Sequence, residues 1–217
     1  MSKAEILLVV APILILLSTL WSFSFFVQLF GIKGGYLAGF VFYWLGWGLL
    51  FPLAVLGGKG LTNLFASLTA PPVQLTPSGL FLLAVPPILA GVTVFRKNRS
   101  RITAKILWIS AALALVNGAL EELLWRGTYL TVFPDRWFWG LLYPTVGFAL
   151  WHWAPQRVRP SKMPGGVGAF LMGALFLGLC WGGVAWQTQS ILFTIPSHVL
   201  TDFLGLGGLI YVDSRNV

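Results

Sequence analysis

The sequence predicts an all-α fold, a polytopic transmembrane helical bundle of about seven spans, and three observations support this prediction. Hydrophobic residues make up 57% of the 217 residues and charged residues only 9%, whereas about a quarter of the residues in a soluble domain are charged. The mean hydropathy is +0.84. Apolar runs of about 20 residues, long enough to cross a bilayer, recur along the whole chain.

Apolar segments separated by short polar intervals are predicted to be the membrane spans. They cover residues 6–30, 34–57, 79–95, 106–133, 137–155, 165–186 and 190–212. The first is too long for the core of a signal peptide and lacks a small-residue cleavage site, so we interpret it as a retained span. The interval 58–78 is rich in proline and glycine, and we expect a loop that holds a short interfacial helix.

Basic residues are concentrated in two connecting segments, "FRKNRSRITAK" and "PQRVRPSK". The positive-inside rule places both segments on the cytoplasmic side, and the two predicted spans between them agree with this. The alternation of spans then places the N-terminus outside and the C-terminus in the cytoplasm. We therefore expect an integral multi-pass protein of the cell membrane of a prokaryote, surrounded by membrane lipids. The topology explains the net charge of +8 without a nucleic-acid partner.

Few ionisable residues lie within the predicted spans, and they are Glu121, Glu122, Arg126, His152, His198 and Asp202. A charge at the centre of a span costs about 2.5–3.5 kcal/mol on insertion scales, so such residues usually mark a functional site. The chain contains only two histidines, and both belong to this set. This coincidence indicates one shared site.

Helix geometry allows Glu121 and His152 to meet. An antiparallel hairpin around the turn "FPDRW" has arms of roughly 20 and 26 Å at about 1.5 Å per residue, so both residues reach a similar depth. This requires the fourth helix to continue through "RGTYLTVF".

Residues four apart on one helix share a face, which predicts two further pairs. His198 and Asp202 are one pair, and Glu122 and Arg126 are the other. Glu121 is rotated by about 100° from Glu122 and faces other helices. Asn117, one turn before Glu121, is placed to donate a hydrogen bond to it.

Each residue also has a structural explanation. Arg126 could extend to the membrane interface, and His152 could anchor the helix there, beside Trp151 and Trp153. His198 could make a hydrogen bond between helices, and Asp202 could pair with a buried arginine. A single site explains all of these residues together.

Three motifs in order, "EELLWRG", "FALWH" and "HVLTD", resemble those of the CPBP family, the CAAX proteases and bacteriocin-processing enzymes also called Abi. The resemblance covers roughly residues 112–209. In the last motif, Asp202 occupies the position at which the eukaryotic CAAX endopeptidases have asparagine.

The resemblance implies an intramembrane endopeptidase of the glutamate-dependent type. Peptide hydrolysis needs a base for the water and donors for the developing oxyanion. Glu121 is assigned as general base, His152 holds and polarises the water, and His198 and Asp202 stabilise the oxyanion. Residues that orient and tune these groups are Glu122, Arg126 and Asn117.

This interpretation predicts a single membrane domain, residues 1–217, with two regions. Residues 106–212 hold the catalytic core helices, and residues 1–95 are peripheral helices without a motif. The expected substrate is a membrane-associated or lipidated peptide or protein. We expect no cofactor, with a divalent metal left open as an alternative.

Three other functions stay open at this point. The two glutamates, two histidines and aspartate would suit a zinc-dependent intramembrane metalloprotease, although the motif His-Glu-x-x-His is absent. Buried carboxylates and histidines also relay protons in transporters, although inverted halves are not evident in the sequence. Some members of the resembling family act in bacteriocin immunity, which suggests a non-enzymatic scaffold or immunity protein.

Overall fold

The computed structural model describes residues 1–69 and 75–212, which form helices and connecting turns with no strand among them. Of the helices in these residues, five are long and apolar enough to cross a membrane: Lys3–Thr69, Pro77–Arg101, Ala104–Val132, Gly166–Thr188 and Thr194–Val212. The predicted class, a polytopic all-α membrane protein, is therefore confirmed. The number of seven spans stays a prediction, since these helices do not settle it.

The first helix, α1, covers Lys3–Thr69 and is bent at two glycines. Gly31 has φ of 69° and Gly57 has φ of 58°, a left-handed conformation that glycine adopts at little cost. The two arms on either side of Gly31 pack closely, because a Cβ added to Gly35 would collide with the backbone of Val27. The arms before and after Gly31 correspond to the first two predicted spans. The interval predicted to be a loop is helical as far as Thr69, and residues 70–74 lie outside the described residues.

The remaining helices follow in short order along the chain. They are α2 (Pro77–Arg101), α3 (Ala104–Val132), α4 (Tyr143–Trp151, preceded by the π-helical turn Phe138–Leu142), α5 (Trp153–Val158), α6 (Gly166–Thr188), α7 (Thr194–Leu204) and α8 (Leu209–Val212). Thr103 caps α3, because its side chain accepts a hydrogen bond from the backbone N–H of Ile106. As the hairpin arithmetic requires, α3 continues through most of "RGTYLTVF" and ends at Val132.

Helices α3 and α7 pack closely against each other at Gly118. A Cβ added there would lie 2.9 Å from the backbone nitrogen of Val199. Only glycine leaves room for this approach, which brings the acidic pair of α3 next to the His198 face of α7. The spacing between these two helices therefore determines the geometry of the candidate site.

We expect Gly118→Ala to lower stability by about 1–3 kcal/mol, because the added methyl forces two packed backbones apart. Gly173→Ala in α6 is the control, since a Cβ added there meets nothing within 4 Å. Alanine favours a helix over glycine by up to about 1 kcal/mol, so the control should be neutral or slightly stabilising. Thermal unfolding in detergent measures both. Equal midpoints for the two variants would contradict the close approach.

Candidate active site

Helices α3 and α7 bring four of the predicted residues into contact. The Nδ1 of His198 lies 2.8 Å from Oε1 of Glu122. The Nε2 of His198 lies 3.4 Å from Oε2 of Glu121 and 3.7 Å from Oδ2 of Asp202. One imidazole is thus placed between three carboxyl groups. We call Glu121, Glu122, His198 and Asp202, with Asn117 and Arg126, the buried polar cluster.

Most of the cluster is shielded from the surface, and only Asn117 and Asp202 are partly exposed. Glu121, Glu122 and His198 expose no more than 2% of their surface, whereas the Asp202 side chain is 28% exposed. Charges withdrawn from solvent need partners that satisfy them. The contacts of each carboxyl group therefore decide what the cluster can do.

Glu122 is bound from two sides through one oxygen. Its Oε1 accepts a hydrogen bond from NH1 of Arg126 at 3.0 Å and also contacts His198. Arg126 is itself 2% exposed, its NH2 donates to the carbonyl of Gly178 at 3.3 Å, and its guanidinium lies 4.4 Å from the Phe148 ring centroid. Arg126 is therefore a buried partner of Glu122, as the spacing predicted, and does not extend to the interface.

Asn117 links Glu121 to Asp202. Its Nδ2 donates to Oε2 of Glu121 at 3.1 Å and to Oδ2 of Asp202 at 2.8 Å. The expected hydrogen bond between Asn117 and Glu121 is thus present. The hydrogen bond to Asp202 also connects α3 to α7.

The other oxygen of Glu121 is bound by a residue that the sequence analysis missed. The hydroxyl of Tyr43, in α1, donates to Oε1 of Glu121 at 3.1 Å, and the next residue, Trp44, donates from Nε1 to Oδ1 of Asn117 at 2.8 Å. Both lie within residues 1–95, to which no site residue was assigned. The only sequence signal was two aromatic residues with polar tips inside an apolar span, and such residues usually mark the membrane interface.

His152 lies beside the cluster rather than in contact with its carboxyl groups. It occupies the junction between α4 and α5, and its Nδ1 is 2.7 Å from the carbonyl oxygen of Phe148. The Phe148 ring centroid is 4.6 Å from that of His152 and 6.0 Å from that of His198. One phenyl ring therefore contacts both imidazoles. A carbonyl can only accept, so Nδ1 of His152 carries hydrogen and Nε2 of the neutral ring is left as an acceptor.

Aromatic packing fixes the plane of the His198 ring. Trp181 stacks on it with ring centroids 3.9 Å apart and an interplanar angle of 15°. Trp181 is itself held, because its Nε1 donates to Oγ of Ser197 at 3.0 Å. With the ring plane fixed, Nδ1 points to Glu122 and Nε2 to Glu121 and Asp202.

The arrangement is suited to moving a proton. A buried carboxylate with two hydrogen-bond donors lies beside an imidazole, and both group types exchange protons with water near neutral pH when their surroundings are tuned. Within residues 1–69 and 75–212, no group of three or more His, Cys, Asp or Glu residues is arranged to hold a metal ion.

Comparison with known protein families gives a match over the second half of the chain. Residues 103–204 match the family described as "Type II CAAX prenyl endopeptidase Rce1-like". The matched segment contains all three motifs of the sequence analysis, and the resemblance stated there is confirmed. No curated protein and no solved structure matches the chain.

Proposed function

Because residues 103–204 belong to the Rce1-like family of type II CAAX prenyl endopeptidases, we propose that this protein is an intramembrane endopeptidase using water activated by Glu121 and His152. The observation that carries the proposal is the setting of Glu121. Its carboxyl group is buried, one oxygen is bound by Tyr43 and the other by Asn117. A general base needs a fixed orientation of this kind.

In the proposed reaction, Glu121 removes a proton from water while the water oxygen attacks the peptide carbonyl carbon. His152 holds the water through its free Nε2, which the hydrogen bond from Nδ1 to Phe148 leaves as an acceptor. The tetrahedral intermediate then loses its amine as the C–N bond breaks. The proton held by Glu121 passes to the leaving nitrogen, and the carboxylate is restored.

The oxyanion of the tetrahedral intermediate is stabilised by His198 and Asp202. The contact of Nδ1 with Glu122 favours a hydrogen on that nitrogen, so donation from Nε2 requires His198 as imidazolium. Glu122 supports this cation at 2.8 Å, and Arg126 balances Glu122 in turn. Asp202 contributes as a protonated acid or through His198.

The proposed substrate is a membrane-associated or lipidated peptide or protein. The proposal includes no cofactor and no nucleic-acid partner, with membrane lipids as the surrounding medium. Cleavage of a lipidated peptide by the purified protein in liposomes tests the function. Activity that a chelator abolishes and zinc restores would overturn the metal-free mechanism, and proton flux without cleavage would overturn the protease assignment.

The proposed location is the cell membrane of a prokaryote with the C-terminus in the cytoplasm. Packing of Phe95 and Ile102 with Leu209 and Val212 places the first basic segment beside the end of the described chain. Arg159 of the second basic segment also interacts with Tyr211. Both basic segments therefore lie at the same end as α8, which supports the orientation given by the positive-inside rule.

We expect Asp202→Asn to retain substantial turnover. Asp202 lies 3.7 Å from Nε2 of His198, too far for a direct hydrogen bond, whereas Glu122 supplies the close counter-charge at 2.8 Å. An amide replaces a protonated acid as donor, so kcat/KM should fall by no more than about tenfold, equivalent to about 1.4 kcal/mol. Because an amide does not titrate, the variant should also keep its activity at alkaline pH better than the parent.

Peptide cleavage across a pH series measures this effect. Asp135→Asn in the exposed turn before α4 is the control and should match the parent at every pH. A folded Asp202→Asn protein that is inactive throughout the series would exclude the donor role.

A further inference from the structure

Two adjacent residues outside the matched family segment reach both oxygens of Glu121. Tyr43 contacts Oε1 directly, and Trp44 acts on Oε2 through Asn117. They begin a π-helical segment, Tyr43–Leu50. Such wide turns inside helices frequently occur at functional sites. Neither residue carries a motif, so their role follows from contacts alone.

The direction of the Tyr43 hydrogen bond is determined by its neighbour. Trp125 Nε1 lies 2.8 Å from the Tyr43 hydroxyl oxygen, and an indole N–H can only donate. The hydroxyl oxygen therefore accepts from Trp125. Its own hydrogen is left for Oε1 of Glu121.

The indole N–H of Trp44 likewise determines the orientation of the Asn117 amide. Trp44 donates to one end of this amide, which identifies that end as the oxygen, Oδ1. The NH2 end must then face the two carboxyl groups of Glu121 and Asp202. An amide in the reverse orientation would place two donors against each other at Trp44.

Packing prevents Tyr43 from changing this arrangement. Its ring is fully buried and stacks on Trp151 with centroids 3.8 Å apart and an interplanar angle of 17°. Trp44 is 8% exposed, and Phe40 packs against it with centroids 5.3 Å apart. Both donors are thus held by rigid rings rather than by flexible chains.

We propose that Tyr43 and Trp44 are positioning residues that fix the Glu121 carboxyl group from its two sides. The inference rests on the proposed function, since it takes Glu121 as the base. Neither residue is assigned a contact with substrate. Without these two donors, the Glu121 carboxyl group is free to rotate towards His198. A smaller fraction of the protein molecules then holds the water in line for attack on the peptide carbonyl.

Kinetics of Tyr43→Phe and Trp44→Phe test this proposal. Each variant removes one donor and keeps an aromatic ring, and we expect kcat to fall by about tenfold to a hundredfold with KM little changed. Tyr129→Phe and Trp47→Phe are matched controls, because each removes a similar donor elsewhere, to Leu8 O at 2.8 Å and to Ser18 Oγ at 2.9 Å. Controls should keep the parent kcat. Equal kcat values in variants and controls would overturn the proposal.

Infrared spectroscopy provides a readout that needs no turnover. The carboxyl band of Glu121 is identified as the band lost in Glu121→Gln. It should shift in Tyr43→Phe and Trp44→Phe and stay in place in both controls. An unshifted band would overturn the proposal, and Trp44→Phe decides alone if Tyr43→Phe does not fold. Absence of cleavage by the parent protein would instead contradict the proposed function, and the infrared result would still test the positioning.

Discussion

Glu121→Gln is expected to lower kcat by about 100- to 10,000-fold, the usual contribution of a general base. Glutamine has no basic oxygen with which to take a proton from water. The fold should be retained, because glutamine keeps the shape of the side chain and loses only the hydrogen bond from Asn117, while its amide oxygen still accepts from the Tyr43 hydroxyl. Cleavage of a lipidated peptide in liposomes measures the loss, and thermal unfolding in detergent measures the stability.

Glu5→Gln is the matched control for a lost carboxylate. Glu5 lies near the N-terminus, where its Oε1 pairs with NH1 of Arg136 at 3.1 Å, far along the chain from the buried polar cluster. This variant should cleave the peptide like the parent. Turnover by a folded Glu121→Gln protein at the parent rate would remove Glu121 from the mechanism and favour a non-enzymatic role.

Arithmetic along a single helix predicted several features of the site. The four-residue spacing placed Glu122 next to Arg126, and the one-turn spacing placed Asn117 next to Glu121. These predictions hold because the repeat of a helix fixes which residues share a face. The continuation of α3 to Val132 followed from the apolar character of the segment after Arg126.

Contacts between helices could not be predicted from the spacing of residues along the sequence. The contact of Glu122 with His198 depends on how closely α3 and α7 approach at Gly118, and no repeat within one helix encodes that distance. The hairpin arithmetic predicted a depth for His152 but not the rotation of its helix, so it could not show that the Phe148 ring contacts both imidazoles. The hydrogen bond from Tyr43 joins residues 78 positions apart, which no local pattern reveals.

Glu122→Gln is expected to destabilise the protein by about 3–5 kcal/mol, as loss of one partner from a buried ion pair typically does. Glu122 is fully buried and its Oε1 receives both Arg126 and His198. A neutral amide can keep its oxygen towards Arg126 and His198, but it leaves the buried guanidinium without its counter-charge. Thermal unfolding in detergent measures the loss. Glu5→Gln is again the control, since its partner Arg136 is 58% exposed and such surface pairs contribute at most about 1 kcal/mol.

A double variant distinguishes destabilisation by the unpaired Arg126 charge from destabilisation by the altered side chain at position 122. Glu122→Gln combined with Arg126→Gln removes both members of the ion pair, and it should be less destabilised than Glu122→Gln alone, because no guanidinium stays buried without its counter-charge. Activity should fall only in part in a folded Glu122→Gln protein, since in the proposed mechanism this residue acts through His198 and not on the water. If Glu121→Gln and Glu122→Gln lost all activity equally and both stayed as stable as the parent, the roles assigned to the two glutamates would be wrong.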